Sequence, residues 1–260
     1  KYRIPVIFRA LDILNQMVRY RVLRWPTRLL ETKVYSGADL ILTLSPKLSD
    51  YVIKLGAPEN KVGLLPLGVD IRQFHPSIDS SDLRKKWEIK EDESVIMFMG
   101  TLFDFSGMDS FLYYLPEIKK EVPGAKLLIV GDGPQRPKLE NIIRELKLEK
   151  DVIITGFQPF SAMPVYINMA AVGINPFLIT GATRDIFPGK IIQFLACGKV
   201  IVATPLPGMK AFLPQDECGV VFADNGKDMA REVVNLLQSP DYRRRLEEKA
   251  VIYIQQTHSY

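Results

Sequence analysis

Short apolar, mostly β-branched runs alternate with helix-period segments through most of this chain, and no other sequence feature narrows its fold as much. The runs fall at 95–99, 127–130, 152–155, 172–175, 200–203 and 220–222. Continuous apolar runs of this length suit strands buried on both faces. Helical patterns lie between them, at 108–120, 136–146, 162–169, 188–197 and 227–237. In the 188–197 pattern, Ile191/Leu195 and Ile192/Ala196 stand four apart and give one apolar face to lie on a sheet. The alternation predicts an α/β fold with a doubly wound parallel sheet and right-handed crossovers. Ligands of such sheets sit beyond the carboxyl ends of the strands.

The first third reads differently. A long helical pattern from Leu11 to about Tyr35 leads into an apolar run, Ala38-Asp-Leu-Ile-Leu-Thr-Leu44, that predicts a strand. Ser45 is a good helix cap with Pro46 at the first helical position. That helix ends near Gly56, and 62–65 makes another short strand. Residues 1–66 hold too few strands for a whole α/β domain and read as the last third of one. Residues 67–76 form a connector, 77–240 a complete Rossmann-like lobe, and 241–260 a polar terminal helix with His258 as a terminal residue.

Bulk properties exclude several classes. With 47% hydrophobic and 25% charged residues, the chain has the balance of a globular protein. No run approaches the ~18–20 apolar residues that span a bilayer, and Pro5 and Arg9 interrupt the short apolar run behind Lys1 and Arg3, so no secretory signal is read. Cys197 and Cys218 have no metal-ligand spacing and no clustered histidine, which argues for buried thiols in a reducing cytoplasm and against a structural metal. Charge is uneven: residues 1–35 carry eight Lys/Arg against two Asp/Glu, a balance of +6, so the rest sums to −2. A slightly acidic remainder argues against nucleic acid. Arg19, Arg21, Arg24 and Arg28 lie among Val18, Tyr20, Val22, Leu23 and Trp25, a basic amphipathic segment suited to peripheral membrane contact or, equally, to a solvated face.

The segment Arg184-Asp-Ile-Phe-Pro-Gly-Lys-Ile-Ile-Gln-Phe-Leu-Ala-Cys-Gly198 places polar groups just before a helix that Pro188 and Gly189 open and Gly198 closes. Free amides at such a helix mouth form an anion site and point to a phosphate-bearing ligand. An ordinary α/β crossover gives the same pattern.

Five segments, in order, resemble family 4 glycosyltransferases of the GT-B two-Rossmann fold. Ala38-Asp-Leu-Ile-Leu-Thr-Leu-Ser45 is similar to the last strand of that family's N-terminal lobe. Leu64-Leu-Pro-Leu-Gly-Val-Asp-Ile-Arg-Gln-Phe-His-Pro76 resembles the interdomain "PNGVDxxxFxP", with Leu67 in place of Asn. Leu127-Leu-Ile-Val-Gly-Asp-Gly-Pro134 resembles "hVGdGp", the stretches 152–157 and 172–177 resemble "V.f.G" and "lfl.PS", and 188–204 resembles "P.KllEylAcGkPVVAt". On this likeness the chain corresponds to the donor-binding C-terminal lobe with part of the N-terminal lobe, and the terminal helix, which in the family returns to the N-terminal lobe, is cut short.

The resemblance implies transfer of a sugar from a nucleotide-diphosphate sugar to a sugar or lipid-linked acceptor, with retention, without metal or cofactor, and on the cytoplasmic side of a membrane. It maps the family's two glutamates onto Asp185, near the donor sugar, and Gln193, on the ribose. Gly100, Thr101, Ser106 and Gly107 stand where the family's "GR....KG" holds pyrophosphate, but neither Thr101 nor Ser106 carries charge. Arg184 and Lys190 are then the candidate replacement cations; Arg184 could equally be a surface residue and Lys190 the partner of a helix or sheet carboxylate. Pro188 and Gly189 complete the donor-side turn, and Gly156 and Phe157, with Phe160, would meet the nucleobase. Gly131 and Gly133 read as tight-turn residues. The losses at Thr101, Ser106 and Gln193 leave one alternative, a degraded member that binds nucleotide or a partner without turnover; a second, a nucleotide-sugar epimerase, shares the fold but not the 188–204 pattern.

Overall fold

The computed structural model describes residues 4–11, 13–18, 20–210, 212–213 and 218–259. It divides into two compact units, Lys1–Leu67 and Gly68–Tyr260.

In the first unit, β1 (Ile7–Ala10), β2 (Leu40–Thr43) and β3 (Val62–Leu64) form a parallel sheet in that order. The sequence reading missed β1, because Pro5 and Arg9 break up its apolar run. It forms by pairing residue for residue with β2, Ile7 opposite Leu40 and Ala10 opposite Thr43. The single helix expected from Leu11 to Tyr35 is instead α1 (Leu14–Met17), a short 3₁₀ turn and α2 (Arg24–Gly37). The break has a physical cause in Glu31, which is buried on α2. Its carboxylate accepts from Leu14 N–H (2.9 Å), Asn15 Nδ2 (2.8 Å) and Tyr51 Oη (2.9 Å), so the chain must fold back on itself to reach these donors. Burial and the neighbouring carboxylate push the Tyr35 phenol up to about 12. Ser45 caps α3 (Pro46–Lys54) as expected, accepting from Leu48 N–H at 3.1 Å.

The second unit starts with α4 (Ser81–Lys86) and carries a six-stranded sheet. Its strands are β4 (Ser94–Met99), β5 (Ala125–Val130), β6 (Val152–Ile154), β7 (Val172–Asn175), β8 (Ile201–Ala203) and β9 (Val220–Phe222). The order is β6-β5-β4-β7-β8-β9 and every pairing is parallel. Counted from β4 this is the doubly wound order 3-2-1-4-5-6, whose direction of winding reverses between β4 and β7. The helices are α5 (Met108–Leu112), α6 (Leu115–Glu121), α7 (Arg136–Glu145), α8 (Met163–Met169), α9 (Lys190–Ala196), α10 (Pro207–Lys210), α11 (Gly226–Gln238) and α12 (Pro240–Thr257). The pattern read as one helix over 108–120 is split into α5 and α6 by Pro116, whose ring has no N–H to give and would strike the carbonyl four residues back. The core is the sheet itself, with Ile96, Met97, Phe98, Leu127, Leu128, Ile129, Val172 and Ile174 fully buried.

Gly131 shows why the strand ends can meet closely. Its φ is +150°, and a Cβ there would lie 2.0 Å from the Gly100 carbonyl oxygen. Gly131→Ala should therefore destabilise the second unit by more than the ~1 kcal/mol of an ordinary helix or strand exchange, and urea denaturation would check this. An unchanged midpoint would mean that the β4 and β5 turns do not need to touch.

Both cysteines are buried and unbridged, as read from the sequence. Burial raises the Cys197 thiol to about 12, so it is held as an inert thiol. Among the described residues no helix is long and apolar enough to cross a membrane, and no cluster of side chains suits a metal ion.

Candidate donor site

The reversal between β4 and β7 opens a crevice at the carboxyl ends of those strands, and the chain there is built to bring loops close together. Gly100 leaves β4 with φ +139°. The loop after it returns at Gly107, whose φ of +69° starts α5 and whose missing side chain lets the Pro176 carbonyl approach; a Cβ would meet that oxygen at 1.9 Å. Leu178 N–H donates to the Phe105 carbonyl at 2.9 Å and joins the two loops. Thr101 is half-buried and Ser106 buried on the same loop.

Lys190 reaches into this crevice from the start of α9. Its Nζ lies 4.3 Å from the ring centre of Phe98, on β4, and 4.3 Å from that of Phe177, just past β7. A Cβ on Gly100 would stand 2.9 Å from the same Nζ, so glycine leaves room for the ammonium. The side chain keeps some solvent contact yet is enclosed by protein on most sides, as on the floor of a cleft. Burial lowers its pKa to about 7, and no carboxylate among the described residues lies within ion-pair distance. Among the described residues, then, nothing bears out the alternative in which Lys190 pairs with a helix or sheet carboxylate. Two aromatic faces offer a partial substitute for lost hydration, about 0.5–2 kcal/mol each. The remaining deficit is what an anion would relieve.

The approach to Lys190 is the turn Thr180–Pro188. The Thr183 hydroxyl, fully buried, accepts from Thr180 N–H at 2.8 Å and pins the turn from inside. Arg184 is exposed, in keeping with the surface reading, while Asp185 is half-buried. Gly208 N–H donates to the Arg184 carbonyl at 3.0 Å, and a Cβ on Gly208 would come within 2.6 Å of the Asp185 carbonyl oxygen. The helix begins at Lys190, later than the expected Pro188, because Ile191 N–H donates to the Pro188 carbonyl (2.9 Å). One of the amides expected to be free at the helix mouth is thus engaged, and Gly189 serves as the cap position. Gln193 is half-buried one turn further on.

On the other side of the crevice, Gly156 follows β6 with φ +71° and bridges to Gly131. Phe157 beside it is 71% exposed, which is rare for a phenylalanine that only packs. Phe160 already packs at a tilt against the buried Phe74, with ring centres 5.6 Å apart and planes at 57°. Arg136 completes this rim but is committed to Asp132 and Glu140, both at 2.7 Å.

The structure brings Gly100 and Lys190 together and places Gly107 and Gly156 at neighbouring turns, while the sequence reading did not anticipate Phe98 and Phe177 on either side of Lys190. Both phenylalanines read simply as core residues of strand patterns; their position at strand ends flanking the reversal was the available signal. The sequence reading also missed Asn175, counted within an apolar run, whose fully buried side-chain amide has no hydrogen-bond partner among the described residues.

The fold is that of an α/β protein of the GT-B glycosyltransferase type, with its winding reversal between β4 and β7. Solved structures agree on the fold. Anabaena Alr3699/HepE in complex with UDP and glucose superposes with a TM-score of 0.81 at 17% identity, covering 98% of this chain and 68% of that one. WaaG, a glycosyltransferase involved in lipopolysaccharide biosynthesis, gives 0.76 at 16% identity, covering 98% and 71%. The profile of the family described as Glycosyl transferases group 1 matches residues 93–239, more than half of the chain. The chain belongs to that family. Among named relatives it is 27% identical over 213 residues to the GDP-mannose-dependent alpha-(1-6)-phosphatidylinositol monomannoside mannosyltransferase of Mycolicibacterium smegmatis, covering 80% of this chain and 55% of the relative. It is 23% identical over 217 residues to alpha-monoglucosyldiacylglycerol synthase of Acholeplasma laidlawii, covering 81% and 53%. The chain spans about half the length of these relatives.

Proposed function

We propose that this chain supplies the donor-binding lobe of a glycosyltransferase that uses a nucleoside-diphosphate sugar and retains anomeric configuration. One observation carries the reading: an enclosed lysine, without a carboxylate partner among the described residues, held between Phe98 and Phe177 at the winding reversal. The hard step in such a transfer is departure of the nucleoside diphosphate from an oxocarbenium-like carbon. Negative charge grows on the leaving phosphate, and a cation already stripped of water stabilises it without reorganising. Lys190 takes this role, in place of the charged pair absent at Thr101 and Ser106. Asp185 faces the donor sugar, Gln193 takes the ribose hydroxyls, and Phe157 stacks on the base. No metal or cofactor enters this scheme.

Calorimetric titration with UDP, GDP and ADP tests the reading and names the base. Saturable binding of one diphosphate is expected, weakened by Lys190→Ala; no binding to any of the three would sink it. Phe157→Ala should weaken the preferred nucleotide about five- to tenfold, in line with an aromatic contact. Its melting temperature should not move, because the ring is already in solvent. A lower melting temperature with unchanged affinity would return Phe157 to a packing role.

For the acceptor side, a lipid-linked sugar at an anionic, cytoplasmic membrane face fits best. Arg21, Arg24 and Arg28 are exposed in the first unit beside Val22 (79% exposed) and Trp25 (70% exposed); Arg19 lies outside the described residues. By their names, one of the two relatives above mannosylates a phosphatidylinositol monomannoside and the other synthesises a glucosyldiacylglycerol. Cosedimentation with phosphatidylglycerol vesicles at low salt, lost at high salt, is the expected result.

A further inference from the structure

The end of α12 does more than finish the chain. Leu246, Ala250 and Ile254 are buried at four-residue spacing, and His258 continues that stripe, itself only 7% exposed. The earlier view of His258 as a mere terminal residue is therefore wrong. It is the first residue out of the helix (φ −131°, ψ 8°), which sets its ring apart from the helical row. The ring stacks on Phe187, with centroids 6.1 Å apart and planes 27° from parallel. Tyr253 closes on the other side at 5.6 Å. Phe212 meets Phe187 edge-on at 5.8 Å, and its carbonyl accepts the Tyr253 hydroxyl. The His258 backbone is anchored separately: its carbonyl accepts from Val69 N–H at 2.8 Å, and Ser259 bridges Val69.

Phe187 sits between Asp185 and Lys190, in the stretch after Thr183 that belongs to no helix or strand until α9 begins. The Arg184–Asp185 end of that stretch is held by Gly208. Its Phe187 end is held by rings from α12 and the α10 turn. A loop fixed at one end by a backbone bond and at the other by aromatic stacking can lose the second without unfolding the sheet.

We propose that His258 is a positioning residue for the donor loop: through its stack on Phe187 it holds the 184–190 segment in the conformation that presents Asp185 and Lys190 to the leaving diphosphate. The inference rests on the donor-site reading above for its purpose, but not for its mechanical content. His258 is not a catalytic residue here, since its ring faces Phe187 and Tyr253. Its contribution is the reduced freedom of a loop that must be in place before a ligand arrives, which shows as affinity.

Hydrogen exchange on the free chain tests the mechanical part without any ligand. His258→Ala should speed exchange of the 184–190 amides about tenfold or more, while amides of β4, β5 and β7 keep their rates. His258→Phe, which restores a ring, should return protection to near the starting level. Phe187→Ala, cutting the stack from the loop side, should reproduce the His258→Ala pattern. The preferred nucleoside diphosphate should then bind His258→Ala about tenfold more weakly, with affinity recovered in His258→Phe. Unchanged loop exchange in both alanine variants overturns the proposal. So does faster exchange spread evenly over the sheet in both, which is simple destabilisation. Local loop opening in a chain that binds no nucleotide even before substitution would uphold the brace and reject the donor reading instead.

Discussion

Replacing Lys190 with methionine should make the free protein more stable and the diphosphate site useless. Methionine has nearly the same length and suits a gap between Phe98 and Phe177. It removes an ammonium that burial disfavours and that no carboxylate among the described residues offsets. Exchange of buried ion pairs for apolar groups of similar volume is often neutral or stabilising by about 1–4 kcal/mol, the upper part of which is several degrees in melting temperature for a unit of this size. Diphosphate affinity should fall about 100-fold or more, as when one member of an enclosed charge pair is truncated. Calorimetry of unfolding and of binding on the same variant separates the two effects. A destabilised Lys190→Met with intact binding would mean that Lys190 is an ordinary packing residue and the crevice is not a donor site. Opposite movement of stability and function is what a preorganised electrostatic site requires.

Binding should also depend on pH in a direction fixed by the same residue. Lys190 has a folded pKa near 7 against 10.5 in an unstructured chain. Below about pH 7 it is protonated in the free protein, and diphosphate meets a ready cation. Above about pH 7 the free amine is neutral, so binding must take up a proton. Affinity should then fall by up to tenfold per pH unit until the pKa of the bound state is reached. Titrations in buffers of different ionisation enthalpy should report proton uptake above pH 7 and none well below it. The stability of the empty protein runs the other way. Between about pH 7 and 10.5 the unfolded lysine holds a proton that the folded one has released, so Lys190's contribution to stability rises with pH. Lys190→Arg, always charged, should bind with little pH dependence from this source. A flat affinity profile for the unaltered protein across pH 6–9 would show that Lys190 does not meet the phosphates.

Sequence alone determined the alternating architecture of residues 94–240. Six apolar runs became six strands in the order they were read, since burial on both faces leaves a continuous apolar signature that local chemistry does not blur. It also marked the turn glycines Gly131 and Gly133 and the helix-closing Gly198, all of which have positive φ, and it singled out Lys190 within a polar segment at the start of a helix. Pro116 split one expected helix by its own ring, but in the first unit the cause of each failure was a partner distant in the chain. Arg9 and Pro5 hid β1 until β2 supplied the pairing. Glu31 folded one expected helix into two by drawing in donors from Leu14, Asn15 and Tyr51. Tertiary structure alone decided what surrounds Lys190. Whether a lysine ends beside a carboxylate, in water, or between two phenylalanines depends on strand order, and the reversal between β4 and β7 brings Phe98 and Phe177 together across 79 positions of sequence. The same holds for His258, whose ring meets Phe187 only because α12 lies against α9. Charge and turn chemistry are local and can be read along the chain; desolvation and stacking are properties of neighbours, and those exist only once the chain has folded.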